Sequence, residues 1–486
     1  MNKLQWQVIG LLPYAAFYAM LILVHGYAFG SNDQMDFMPY ARHIQDASLY
    51  PNDFYINCIG SRFNERWFLA NSIALIPAVW WPIFFLVLHA VSTILLVRGL
   101  IQWARLYFQS VWLQWLCVFI PLILLYNRNL GGNELYYNMV CASLLAKSIA
   151  IWALYHAYKS NLTKTILLTV LATYLHPIVG AQVFILAFIL ITMPQRTRYT
   201  IYVALLIIPY LYVLFNDLDH TISGREFVHI MYLRNAHHFF PGSFGMINYM
   251  ILLPFGILGT KGLYTPDRRI FYICIAIIVG CLVYSIGMEL FPKLTIISQW
   301  FKTTIWLKFF CTIGLIHLLT NFQGIKIDQY HIYRLKYVVL TLITLLVSYK
   351  TYRNFARIDS VYQLPFSQPG YDIQAAFKAK IISTGNDVFL VPPDFTSFKY
   401  YSERSTYADW KAIPHNGNCL LEWRKRIYLS YGLTTTDRTS LNDIYARGND
   451  YLSGLMPDQK TILRSQGVTY IVFRPKGKKE YSIEKL

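Results

Sequence analysis

Residues 8–54 read VIGLLPYAAFYAMLILVHGYAFGSNDQMDFMPYARHIQDASLYPNDF. The opening stretch is apolar over about twenty residues, the length that crosses the hydrocarbon of a bilayer as a helix. Residues 29–54 then carry Asp33, Asp36, Asp46 and Asp53, with Arg42 and His43 among them. Charged groups beside a membrane are costly unless they are solvated, paired or used. An apolar run delivering a cluster of carboxylates therefore sets the question for the whole chain.

The chain has 486 residues, of which 55% are hydrophobic and 14% charged. Its mean hydropathy is +0.37. Ordinary soluble domains carry about 25% charged residues. Apolar runs of spanning length recur near 7–28, 67–104, 110–126, 137–158, 165–175, 178–194, 199–215, 246–260, 270–290, 303–321 and 337–350. The expectation is a polytopic α-helical membrane protein of about 11 spans. Lys3 is the only basic residue before the first run, and no A-x-A cleavage site comes after it, so that run is expected to stay as an uncleaved span. Trp81-Pro82 is expected to separate a short helical or re-entrant piece from a full span in 67–104. Residues 165–194 read as two short spans or one broken hairpin turning at His176-Pro177.

The net charge of +18 comes from 43 Lys and Arg against 25 Asp and Glu. No basic module laced with aromatics accompanies it, so nucleic acid is not an expected partner. Basic residues gather instead in the loops that a cytoplasmic N-terminus would place inside. Those loops hold thirteen basic and two acidic residues, against eight basic and ten acidic outside. This is the positive-inside pattern. An odd number of spans then puts residues 351–486 outside, with the first loop at 29–66. The expected domains are thus 1–350, spanning the membrane, and 351–486, a small extracytoplasmic α/β domain. "DVFLVPP" (387–393) and "VTYIVF" (468–473) read as its strands, and "PDQKTILRSQG" (457–467) as a helix. The seven cysteines form no CxxC motif, and most lie in apolar runs. Cys58 and Cys419 fall outside the spans, and their spacing alone does not pair them.

The unusual polar residues collect on the outer side. Asp33 and Asp36, three apart, would share a face if helix continues, and could hold a divalent cation or act as base and orienting group. "GSRFNERW" adds Arg62, Glu65 and Arg66; "YNRNLGGNELYYN" adds Arg128 and Glu134. His176 lies at the hairpin turn. "REFVHIMYLRNAHHFFP" brings Arg234, His237 and His238, a set suited to phosphate. In "YYSERSTYADWKAIPHNG" and "LLEWRKRI", the residues Arg404, Lys411, Glu422, Trp423 and Arg426 are candidates for a groove. Asp53, in "LYPNDF", reads as a turn or helix start. Walker, GxSxG, HExxH and Rossmann patterns are absent from the sequence.

The layout resembles the GT-C superfamily of membrane glycosyltransferases, in an uncharacterised bacterial branch. The residues that carry the resemblance are Asp33 and Asp36, "DASLYPNDF" (46–54), His176-Pro177, "RNAHHFFP" (234–241), "VPPDFTSFKYYSERSTYADWKAIP" (391–414) and "EWRKR" (422–426). The resemblance implies a polyprenyl-phosphate sugar as donor and a glycan or lipid as acceptor at the outer face of the bacterial inner membrane. It implies Asp33 or Asp36 as general base or ligand of Mg or Mn, with Arg234 neutralising the donor phosphate. The oligosaccharyltransferase WWDYG is absent, and Asp33-Gln34-Met35-Asp36 is not a strict DxD. Two other functions fit a polytopic chain: a lipid-linked glycan flippase, and a non-catalytic polysaccharide assembly protein. A flippase is expected to carry charges within spans and an internal repeat; with Arg98 and Glu289 counted to loops at span ends, only Lys147 and Lys308 lie within spans, and no repeat is present.

Overall fold

The computed structural model describes residues 3–60, 63–217, 222–321, 329–365, 368–434 and 441–486. Arg62, a candidate site residue, lies outside the described residues. The chain divides into two units, each assembled from three segments. The first unit comprises Met1–Tyr27, Leu86–Ile207 and Ala236–Tyr362; the second comprises Ala28–Phe85, Ile208–Asn235 and Gln363–Leu486.

Helix dominates the described residues. Among the described residues, four helices are long and apolar enough to cross a membrane: Ala78–Ala104, Met246–Leu263, Arg268–Leu290 and Pro292–Thr320. The 23-residue Lys3–His25 helix and the shorter apolar helices Val111–Leu124, Leu162–Leu175 and Pro177–Leu190 accompany them. The break between the last two has an identifiable cause. His176 leaves helical geometry at φ −157°, ψ 102°, and its Nδ1 accepts from the Val179 amide at 3.3 Å, so it ends one helix and caps the next. Each arm has 14 residues, or about 21 Å of rise, short of the roughly 30 Å hydrocarbon core. Residues 165–194 thus form a broken hairpin. Gly180 lets its arms close, since a Cβ there would meet Thr173 Oγ1 at 2.2 Å.

In 67–104 the full-length helix begins at Trp81-Pro82, as expected, after a short helical piece. A helix over Trp67–Ala74 ends before Pro77, a 3-10 turn covers Ala78–Trp80, and the long helix starts at Trp81. Pro82 falls in the first turn of that helix, where a missing N–H loses nothing.

Small residues set the packing of the first unit. Met246–Leu263 crosses Thr304–Thr320 so closely that a Cβ on Gly262 would meet the Gly314 carbonyl oxygen at 2.0 Å, and one on Gly314 would meet that of Gly259 at 1.9 Å. Where lipid supplies no hydrophobic drive between helices, such backbone approach gains dispersion contact. The first helix, Lys3–His25, is held by the Gln329–Phe355 helix and by Tyr362, seven residues beyond its end. Asn354 Nδ2 donates to the Val24 carbonyl at 2.8 Å, and Tyr362 Oη donates to that of Leu23 at 2.7 Å.

The second unit contains a four-stranded sheet in the order β2-β1-β3-β4, built from β1 (Val388–Leu390), β2 (Ser405–Thr406), β3 (Tyr470–Phe473) and β4 (Ser482–Lys485). β1 runs parallel to β2 and β3, and β4 is antiparallel to β3. The Tyr371–Ile382 helix lays Ala375, Ala376 and Ala379 against Phe389, Val391, Phe395, Phe398, Tyr470 and Val472. β1 and β3 lie within the two runs expected as strands, and the Pro457–Ser465 helix lies within the third.

Candidate functional site

Gly26 (φ +79°) comes just after the first helix, and Gly30 (φ +67°) four residues later. Gly30 is packed against Tyr400 and Tyr401, where a Cβ would sit 2.9 Å from either ring. Asn32 is left-handed (φ 52°), and a 3-10 helix over Asn32–Asp36 begins. Its side chains at i and i+3 eclipse, so Asp33 and Asp36 share one face, as their spacing led one to expect. Gln34, fully buried between them, accepts from the Gly30 amide at 2.6 Å and fixes the turn.

Both aspartates face cations brought from elsewhere in the second unit. Asp33 Oδ1 lies 2.6 Å from Lys411 Nζ. Asp36 Oδ2 lies 3.2 Å from an Arg66 terminal nitrogen, and Arg66 also bonds Glu65. Asp36 Oδ1 is buried with no hydrogen-bond partner among the described residues. Arg234 is 6% exposed. Its Nε donates to the Trp410 carbonyl at 2.5 Å, and a terminal nitrogen donates to the Lys411 carbonyl at 3.0 Å. The other terminal nitrogen donates to Asn235 Oδ1 at 2.9 Å, and the guanidinium lies 5.7 Å from the centre of the Trp410 ring. Neutral oxygens take its hydrogens, and among the described residues no carboxylate is in ion-pair contact with it. Burial pulls Arg234 below the ordinary arginine range, while Tyr445, Asp36 and Asp33 pull the other way. Burial also works against the charge of Lys411, but Asp33 and Asp36 together outweigh it and the net effect is upward.

Asp33, Asp36, Glu65, Arg66, Arg234 and Lys411 are therefore linked in one unit, although they come from all three of its segments. The remaining candidates are engaged differently. Arg404 donates to the Lys380 and Ser383 carbonyls at 2.8 and 2.9 Å, closing the end of the Tyr371–Ile382 helix. Arg426 pairs with Glu422 one turn away at 2.9 Å and lies 4.4 Å from the Phe54 ring centre and 4.7 Å from that of Tyr407. Trp423 is fully buried and its indole N–H donates to the Asp409 carbonyl at 2.8 Å, so it offers no face to a sugar. His176 caps the second arm of the broken hairpin. His237 and His238 belong to the first unit, where His238 Nδ1 lies 3.2 Å from the Gly131 carbonyl oxygen.

Two features of the second unit escaped the sequence. The first is a fully buried ammonium, Lys399, between Asp53 at 2.8 Å and Asp409. Asp53 also accepts from the Ile56 amide at 2.9 Å, which is the helix start its sequence suggested, and from the Thr406 amide at 2.9 Å. The second is the Cys58–Cys419 disulfide, with Cα atoms 6.1 Å apart, tying Phe54–Gly60 to the Gly417–Tyr431 helix. Only an acid in the first loop and two uncommitted cysteines outside the spans hinted at them.

As arranged, Asp33 and Asp36 each meet a cation, and among the described residues no group of three His, Cys, Asp or Glu side chains gathers. Asp33 Oδ1 and Asp36 Oδ2 are thus already paired with cations, and the chemistry proposed for the site uses no metal ion.

Residues 379–429 match a family described as Domain of unknown function (DUF6798). The matched segment holds Lys399, Arg404, Asp409, Lys411, Cys419, Glu422 and Arg426. No curated protein shows significant similarity to the chain.

Proposed function

We propose that this chain is a membrane glycosyltransferase of GT-C type that moves a sugar from a polyprenyl-phosphate donor to a glycan or lipid acceptor. The observation that carries the proposal is the buried Arg234, satisfied by neutral oxygens alone, beside the Asp33–Lys411 and Asp36–Arg66 pairs. A buried charge with no countercharge in contact is costly, and a phosphate would supply one through charge-assisted bonds. An aspartate within hydrogen-bond reach of an acceptor hydroxyl removes its proton as oxygen attacks the anomeric carbon. Arg234 and Lys411 stabilise the phosphate as the sugar–phosphate bond breaks, an electrostatic contribution that usually dominates such reactions. Asp33 is the more exposed of the two aspartates, at 39% against 27% for its side chain, and is our choice for the base.

The polytopic topology of about 11 spans, the cytoplasmic N-terminus, the outward 351–486 segment and the bacterial inner-membrane location belong to the same proposal. Their support is the loop charge asymmetry and the Cys58–Cys419 disulfide, a bond that persists in oxidising compartments.

The test uses the full chain in lipid nanodiscs, a panel of polyprenyl-phosphate sugars, and chromatographic detection of transfer to lipid or glycan acceptors. The wild type transfers one of the sugars; Asp33→Asn or Asp36→Asn lowers transfer by orders of magnitude, and Arg234→Met weakens it severely. Full activity in both aspartate variants removes the mechanism.

A further inference from the structure

We infer that a cavity in the first unit binds an uncharged, hydroxyl-rich ring the size of one monosaccharide. The cavity measures about 310 Å³, at the low end of the roughly 300–1,000 Å³ that small-molecule sites occupy, so one ring fits it better than an oligosaccharide. Its walls include the carboxamides of Asn127, Asn129 and Asn248. Each carboxamide offers donors and an acceptor on one planar group, the complement of a hydroxyl that both gives and takes a hydrogen bond. Asn248 Nδ2 donates to the Phe244 carbonyl at 2.7 Å, while its Oδ1 is buried with no partner among the described residues. The rings of Tyr126 and Phe244 also line the space and supply apolar faces for the C–H side of a sugar.

Glu134 is the one carboxylate among the lining residues and no Lys or Arg lines the space, which disfavours an anion. Glu134 Oε2 lies 2.7 Å from Lys308 Nζ, and Oε1 accepts from Asn129 Nδ2 at 2.7 Å. Lys308 also donates to the Leu125 and Arg128 carbonyls, both at 3.1 Å, and Lys147 bonds Asn133 at 2.6 Å and the Glu134 carbonyl. The two lysines within apolar helices thus hold the 126–138 loop in place. At the cavity Asn127 is left-handed (φ 65°), and Gly132 (φ 59°) packs so closely that a Cβ would lie 2.4 Å from His238 Nδ1. No residue of the Asp33–Asp36 cluster takes part, so this inference stands apart from the transfer reaction.

The test is photolabelling of the full chain in nanodiscs with diazirine-bearing methyl glycosides of glucose, galactose and N-acetylglucosamine. Label from at least one probe is expected in the peptides covering 126–137 and 237–248. The parent methyl glycoside should compete, and inorganic phosphate or sugar-free polyprenyl phosphate should not. Asn248→Leu should weaken competition about tenfold, the size of one lost hydrogen bond. Ser243→Phe, at another lining position, should block labelling while leaving the melting temperature unchanged. Overturning results are labelling elsewhere or by none of the three probes, phosphate competing as well as the glycoside, or both variants behaving as wild type.

Discussion

Asp33 of the 3-10 turn after the first helix meets Lys411 at 2.6 Å, in the same unit where Arg234 donates to the Lys411 carbonyl. The pair is partly exposed, at 39% and 27% for the two side chains, and ion pairs of that kind add only about 0–1 kcal/mol to stability. Activity and folding are therefore separable here. Asp33→Asn is expected to lower sugar transfer by about 10²–10⁴-fold, the range for loss of a general base, with little change in thermal melting. Lys411→Gln is expected to lower kcat with the fold equally intact. Steady-state transfer assays beside melting curves check both.

Lys399 predicts the reverse. It is fully buried between Asp53 and Asp409, and removing one partner of such a network leaves uncompensated buried charge. Lys399→Met is expected to destabilise the second unit by about 3–5 kcal/mol. The fluorescence of Trp410 and Trp423, both buried in that unit, reports its unfolding. A melting temperature equal to wild type would refute the structural role.

The Cys58–Cys419 disulfide joins residues 361 positions apart. Its loss by Cys58→Ser is expected to cost about 2–5 kcal/mol. In cells, a maleimide gel-shift assay is expected to modify Cys58 and Cys419 only after reduction. Modification without reduction would place these cysteines in a reducing compartment and overturn the proposed orientation.

Glu403 joins Arg42 at 2.8 Å and Lys380 at 2.6 Å. Burial alone would raise its pKa, but Lys380 and Arg42 together outweigh it and hold the carboxyl below its ordinary 4.5. A carboxylate depressed in the folded state contributes stability that is complete above the ordinary value and is lost as pH falls through the lower folded one. The melting difference between wild type and Arg42→Gln is therefore expected to be constant from pH 7 to about 5 and to shrink below the glutamate range. A difference that grows on acidification would contradict this sign.

Particular residues show how far the sequence reached. The i, i+3 spacing of Asp33 and Asp36 put them on one face before any coordinates did, because local backbone geometry depends on neighbours in the chain. The same locality made His176-Pro177 legible as a helix break, Asp53 as a helix start, and the β1 and β3 runs as strands. The 3-10 form of the first turn was less legible, since it depends on Gly30 packing against Tyr400 and Tyr401. β2 and β4 were missed because Ser405-Thr406 and Ser482–Lys485 carry no apolar run, unlike Val388–Leu390 and Tyr470–Phe473.

The sequence by itself determined the helical, apolar character of the chain and which acids and bases stand near helix ends, since hydropathy and short-range spacing are written along the backbone. Only the tertiary structure decided that Lys411 meets Asp33, that Lys399 is buried between Asp53 and Asp409, that Cys58 joins Cys419, and that Lys147 and Lys308 secure a loop. Each of those partnerships closes a stretch of chain, and the packing that repays its loop entropy leaves no local trace at either residue.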